Sequence, residues 1–144
     1  MIRVKITLSP KSSIPEYKSS GSSGADLRAR LESPETIQPG QIKLIPTGIS
    51  IEIPEGYEAQ IRPRSGLALN HGLTLLNSPG TIDSDYRGEI KIILANLGRE
   101  PFVVEHGMRI AQMIFCKVYK GEFEIVDEIS ITERNKGGFG HTGI

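Results

Sequence analysis

Three residues, Asp83, Asp85 and Tyr86, follow the turn signal Ser78-Pro79-Gly80 within the run 73–91. On a strand, carboxylates two apart share one face and Tyr86 turns to the other. An ionised aspartate accepts a proton from a hydrogen-bonded water, which makes Asp83 a candidate general base. The same residues beside Pro-Gly also serve as turn caps, and Asp85 reads as a structural partner for an arginine or backbone amide. Arg64-Ser65-Gly66 opens the one helical stretch: a cationic fork, free N–H groups and a glycine that permits close approach make a phosphate grip. The bland alternative is a capped helix with a surface arginine. Gln112 is polar in an apolar run and needs a partner. No Ser–His or Cys–His nucleophile stands out. His71 and His106 each precede a glycine and read as structural, too far apart for a zinc pattern. The sole cysteine, Cys116, lies in M-I-F-C and reads as a buried, inert thiol.

The elements that must position these groups are short and extended. Alternating apolar residues predict strands over 2–8 and 49–53, and apolar runs predict others over 26–31, 42–45, 57–62, 102–104, 110–118 and 123–126. The run 73–91 predicts a β-hairpin about Ser78-Pro79-Gly80. Residues 65–72 predict the helix, with Ser65 as N-cap and Gly72 in the left-handed C-terminal position. Turns about every ten residues and a single helix argue an all-β fold; the pattern alone leaves sandwich and barrel open. The 144 residues suit one domain, divided into a β core over 1–132 and a glycine-rich tail over 133–144 that has too few apolar residues to bury itself. Seventeen basic residues balance seventeen acidic ones, which argues against a nucleic-acid surface or an acidic tail. No apolar run approaches membrane-spanning length and the N-terminus lacks a signal-peptide core, so a cytoplasmic protein with no membrane partner is expected.

Five stretches together carry a resemblance. Gly24-Ala25-Asp26-Leu27-Arg28-Ala29, Arg62-Pro63-Arg64-Ser65-Gly66-Leu67-Ala68, Gly80-Thr81-Ile82-Asp83-Ser84-Asp85-Tyr86-Arg87-Gly88, Arg109-Ile110-Ala111-Gln112 and the tail from Arg134 to Gly143 resemble, in order, the five signatures of the trimeric dUTP pyrophosphatases. The resemblance spans essentially the whole chain. It implies a distorted jelly roll, a homotrimer with an exchanged C-terminal tail, and hydrolysis of dUTP to dUMP and pyrophosphate by water attack on the α-phosphorus. Such an enzyme keeps uracil out of DNA and supplies dUMP. The alternatives are a dCTP deaminase-type relative and a catalytically silent nucleotide-binding module.

The resemblance also assigns roles. Asp83 would orient the attacking water, and Arg64, Ser65 and Gly66 would hold the phosphates. Gln112 would lie near the phosphates and the water, with Arg109 more structural. Mg²⁺ would be held mainly by the triphosphate, with Asp26 acting through coordinated water. A backbone reader for uracil would run between Asn77 and Lys91, including Thr81 and Ile82. Free N–H and C=O groups there would match uracil and be left unpaired against cytosine. Tyr86 would lie against the deoxyribose and exclude a 2′-hydroxyl. In the tail, Phe139 and Gly140 would close over the base and Arg134 would meet the γ-phosphate. Asn135 and His141 depart from the commonest pattern, where Gly and Ser are frequent; His141 or Lys136 would then supply a cationic phosphate contact.

Overall fold

Residues 109–117, R-I-A-Q-M-I-F-C-K, form the longest strand and the spine of the largest sheet. The computed structural model describes residues 1–139, so Gly140 and His141 lie outside the described residues. Eleven strands and one helix follow in chain order. They are β1 (Lys5–Leu8), β2 (Ala25–Arg28), β3 (Glu35–Ile37), β4 (Ile42–Pro46), β5 (Ile49–Glu52), β6 (Tyr57–Arg62), α1 (Ser65–His71), β7 (Leu73–Leu75), β8 (Gly80–Ile82), β9 (Lys91–Asn96), β10 (Phe102–Val104) and β11 (Arg109–Lys117). The main sheet runs β2-β11-β6-β8, a second runs β4-β9-β7, and β1-β5 and β3-β10 form two-stranded ribbons. All the pairings are antiparallel. This is an all-β, distorted jelly roll with one short helix.

The sheets close on one core. Leu27, Ile61, Ile110 and Met113 come from the main sheet, Ile45, Ile92 and Leu94 from the second, and Ile37, Ile49, Ile51 and Val104 from the ribbons. Each fully buried Leu or Ile contributes about 1.5–3 kcal/mol, so a sheet without these inward residues would not stay packed. The buried Asn96 is fully satisfied: its amide donates to the carbonyls of Ile37 and Glu100, both at 2.9 Å, and its Oδ1 accepts from Gly98 N. It ties β9 to β3 and to the following loop.

The expected hairpin is not closed. β7 pairs with β9 and β8 pairs with β6, so the arms on either side of Ser78-Pro79-Gly80 belong to different sheets. Each finds a longer apolar partner than its sequence neighbour offers. β8 is an edge strand as a result. Asp83 and Asp85 are not on a strand either. β8 ends at Ile82, and Tyr86 N donates to the Asp83 carbonyl at 3.2 Å, closing a turn.

Five smaller expectations are also corrected. The first strand begins only at Lys5, where pairing with β5 starts, and the second is confined to Ala25–Arg28. Residues 123–126 form no strand and pair with no sheet edge among the described residues, and Phe123 and Ile125 are fully exposed. Arg64, not Ser65, is the N-cap of α1, and its side chain makes no capping bond. Gly72 does close α1 in the left-handed conformation, at φ 69°. Cys116 is half-buried rather than buried. β3 went unforeseen, because three residues after Ser-Pro carry almost no periodicity.

Candidate active site

Asp26 sits in β2 opposite Gln112 of β11, and Gln112 faces Arg62 of β6 on the other side. The antiparallel register therefore brings the first and fourth signatures together and lays them beside the turn into α1. Asp26 is buried and binds two arginines: Arg64 Nε reaches Oδ1 at 3.1 Å and Arg109 Nη1 reaches Oδ2 at 3.0 Å. Arg64 Nη1 also donates to the Arg109 carbonyl at 3.0 Å, which holds the guanidinium plane in place. Gln112 Nε2 donates to the Pro63 carbonyl at 2.9 Å, so its amide is oriented with Oε1 toward Gly24. A Cβ on Gly24 would lie 3.1 Å from Cβ of Gln112 and closer still to Oε1, so only glycine leaves this amide its place.

These residues line a depression of about 360 Å³ with Ser65, Gly66, Lys18, Ser22 and Ser23. Its one carboxylate is paired with two arginines, which leaves a net positive charge, while Lys18 in the lining is itself paired with Glu16. Such a surface favours a polyanion. Both carboxylate oxygens of Asp26 are engaged by arginine, and no group of three or more potential metal ligands occurs among the described residues. That donor set fits a magnesium carried by phosphates and touched through water, not a protein cage.

The base-side residues lie elsewhere. Thr81, Ile82, Asp83, Tyr86 and Lys91 line a second depression of about 370 Å³ with Leu44, Glu89 and Ile90. It shares no residue with the first. Asp83 and Tyr86 are exposed on the turn after β8, whose outer edge carries no strand among the described residues. Tyr86 Oη donates to the Glu89 carbonyl at 3.0 Å. Lys91 opens β9, with Nζ 3.6 Å from Glu89. Asn77 is exposed beside Gly80, away from the lining. Asp85 makes no ion pair or hydrogen bond among the described residues, against expectation, since Arg87 turns instead to the Ser84 and Tyr86 carbonyls.

The largest depression, about 840 Å³, lies on the far side of the same turn and is lined by Glu52, Glu55, Glu58, Asp83 and Asp85 against Arg87 and Lys120. Excess negative charge makes it a poor seat for a triphosphate despite its size. In the tail, Arg134 Nε donates to the Gly137 carbonyl and Phe139 is fully exposed; neither meets the two smaller depressions. His71 packs edge-on against Phe102 and His106 Nδ1 accepts from Leu31 N, as structural residues do.

Sequence reasoning missed Lys18, Ser22 and Ser23 in the lining of the first depression. Their only signal was a cation and small donors just ahead of Gly24. It also missed the support of Tyr86 by Gly88 and Glu89.

A family model described as dUTPase matches residues 10–143. The deoxyuridine 5'-triphosphate nucleotidohydrolase of Caldanaerobacter subterraneus subsp. tengcongensis is 58% identical over 131 residues, covering 91% of this chain and 88% of the relative. The protein of that name from Chlamydia muridarum is 59% identical over 133 residues, covering 92% of each. Among solved structures, the Staphylococcus bacteriophage 80alpha dUTPase with dUpNHpp superposes with a TM-score of 0.90 at 24% identity, over 99% of both chains. A phage phi11 dUTPase described with a coordinated structural Mg(II) ion superposes at 0.79 with 20% identity, over 88% of this chain and 97% of its own. A match over nearly the full length, with relatives close to three-fifths identical, leaves one conclusion: the chain belongs to the dUTPase family.

Proposed function

We propose that this protein is a dUTP diphosphatase that hydrolyses dUTP to dUMP and pyrophosphate, acting on the nucleotide pool of the cytoplasm. The observation that carries the reading is the doubly neutralised Asp26 beside Arg64, Ser65 and Gly66, in a chain close to three-fifths identical to relatives named for this substrate. The phosphates lie against Arg64 and the first N–H groups of α1, and Gln112 offers its oriented amide to them or to the attacking water. Asp83 accepts a proton as the water oxygen bonds to the α-phosphorus and the bridging oxygen leaves with pyrophosphate. Magnesium, held by the triphosphate and reached by Asp26 through water, supplies charge neutralisation. The open edge of β8 at Thr81 and Ile82 reads uracil through the backbone, with Asn77 and Lys91 at its two ends, and Tyr86 walls off the 2′ position of the sugar.

Because the phosphate-side and base-side depressions share no lining residue, one site is completed between chains, in a homotrimer. Two exposed apolar regions support association. Ile42, Leu44 and Leu76 lie on the outer face of the β4-β9-β7 sheet, and Phe123, Ile125, Ile129 and Ile131 are exposed in the segment after β11. Leu44 also lines the base-side depression, so a copy seated on that face stands next to it. The tail over 133–144, carrying Arg134, Phe139 and Gly140, closes as a lid on a neighbour's site and excludes water.

The test is product analysis of dUTP, dCTP, dTTP and UTP with magnesium or chelator, alongside the mass in solution. Consumption of dUTP alone, slowed by chelator, in a particle of three 15.8 kDa chains is the expected result. Ammonia from dCTP, or binding of dUTP without turnover, would overturn it.

A further inference from the structure

The Tyr86 ring lies directly on Gly88. A Cβ built on Gly88 would stand 2.5 Å from Cζ and 2.9 Å from Cε2 of that ring, with Oη nearer still. Real side chains do not tolerate such distances, and the obstructing atoms belong to a stiff ring rather than to a flexible end. The backbone of Gly88 does not adopt a positive φ, so conformation alone does not call for glycine there. What requires it is the space the ring occupies.

The other side of the ring is equally defined. Tyr86 Oη donates to the Glu89 carbonyl at 3.0 Å. That acceptor is fixed in turn. Glu89 Oε1 accepts from Gly48 N at 2.8 Å, Ile90 N donates to the Ile49 carbonyl at 2.9 Å, and the buried Thr47 hydroxyl donates to the Ile90 carbonyl at 2.5 Å. The ring is thus pinned between a glycine Cα and a carbonyl anchored to the loop and strand at 47–49. Its own exposure, 44%, shows that packing from above does not hold it. Without the Gly88 seat the side chain has open water to swing into.

We propose that Gly88 is a positioning residue for sugar selection: by leaving room for the hydroxyl end of the Tyr86 ring beside its Cα, it sets the wall that rejects a 2′-hydroxyl. This rests on the dUTP reading given above. The inference concerns discrimination, because Gly88 lies outside the lining of both smaller depressions and a side chain there would meet the Tyr86 ring.

The experiment compares kcat/KM for dUTP and UTP in the parent and in Gly88→Ala, Tyr86→Ala and the double variant. A parent that fails to hydrolyse dUTP refutes the function before any variant is made, so the two failures are separable. With an active parent, Gly88→Ala is expected to lower the dUTP-over-UTP ratio by about tenfold or more, with the melting temperature nearly kept. In the Tyr86→Ala background the same substitution is expected to leave the ratio unchanged. A ratio unaltered by Gly88→Ala, or an equal effect with and without the ring, overturns the proposal. Should Gly88→Ala fail to fold, the double variant decides: folding restored by removing the ring confirms that the two are in contact, and folding not restored refutes it.

Discussion

The two smaller depressions are built by opposite means. In the depression proposed for phosphate, charged and polar side chains from β2, β11 and the entry to α1 are locked by ion pairs and by hydrogen bonds to carbonyls, so the groups are already oriented. On the base side, an edge strand, a turn closed by Tyr86 N on the Asp83 carbonyl, and a ring seated on glycine do the shaping. Phosphate is recognised by charge, which side chains carry. A base and a sugar are recognised by shape and by donor–acceptor pattern, which backbone supplies at little entropic cost. The lesson is that the two ends of one nucleotide should respond to different perturbations.

The sharpest break is Asp83→Asn, which keeps the turn and removes the proton acceptor. Steady-state kinetics should show kcat lowered by about 10²- to 10⁴-fold with KM little changed; an equal rise in KM would mean that Asp83 binds rather than reacts. Asp26→Asn acts at the other end. It strands two arginines against a buried amide, and denaturant melts should lose about 2–4 kcal/mol, toward the lower value because both arginines keep some solvent. If the phosphate side is organised as described, that variant also weakens nucleotide binding, whereas stability loss alone would reduce Asp26 to a structural role.

Removing residues 134–144 should reduce kcat/KM by about 10- to 100-fold while the melting transition stays in place, since no described residue of this segment is buried or belongs to the core. A truncation that melts earlier would show the tail to be part of the fold. The smallest effect concerns exposed ion pairs, one of them made by Lys18 of the first depression. Salt bridges with Lys18, Lys11 and Lys5 lower the pKa values of Glu16, Glu32 and Glu52, respectively, below the usual 4.5. Lowered folded-state values mean the stabilisation is complete above about pH 4.5 and is lost as pH falls through them. All three carboxylates are exposed, so replacing them with glutamine should only slightly flatten the acid limb of a pH–stability curve, and added salt should do the same.

Much of the architecture was legible from local pattern. β6, β10 and the bounds of α1 follow from alternation, apolar runs and Gly72, because those signals act within a few residues. The five motifs, with Asp26, Arg64, Gln112 and Asp83 among them, were legible as strings. Which elements pair was not. The run 73–91 looks like a hairpin because turn chemistry is local, yet its arms join separate sheets, since burying Leu73 and Leu75 beside β9 outweighs pairing with a neighbour in sequence. In the same way, 123–126 reads as a strand but pairs with no sheet edge among the described residues. Sequence alone settled residue chemistry and the turns, which depend on side-chain type and backbone freedom at single positions. Tertiary structure alone decided that Asp26 meets Arg64 and Arg109, and that Asp26 and Tyr86 line separate depressions, because each depends on how segments far apart in the chain are brought together.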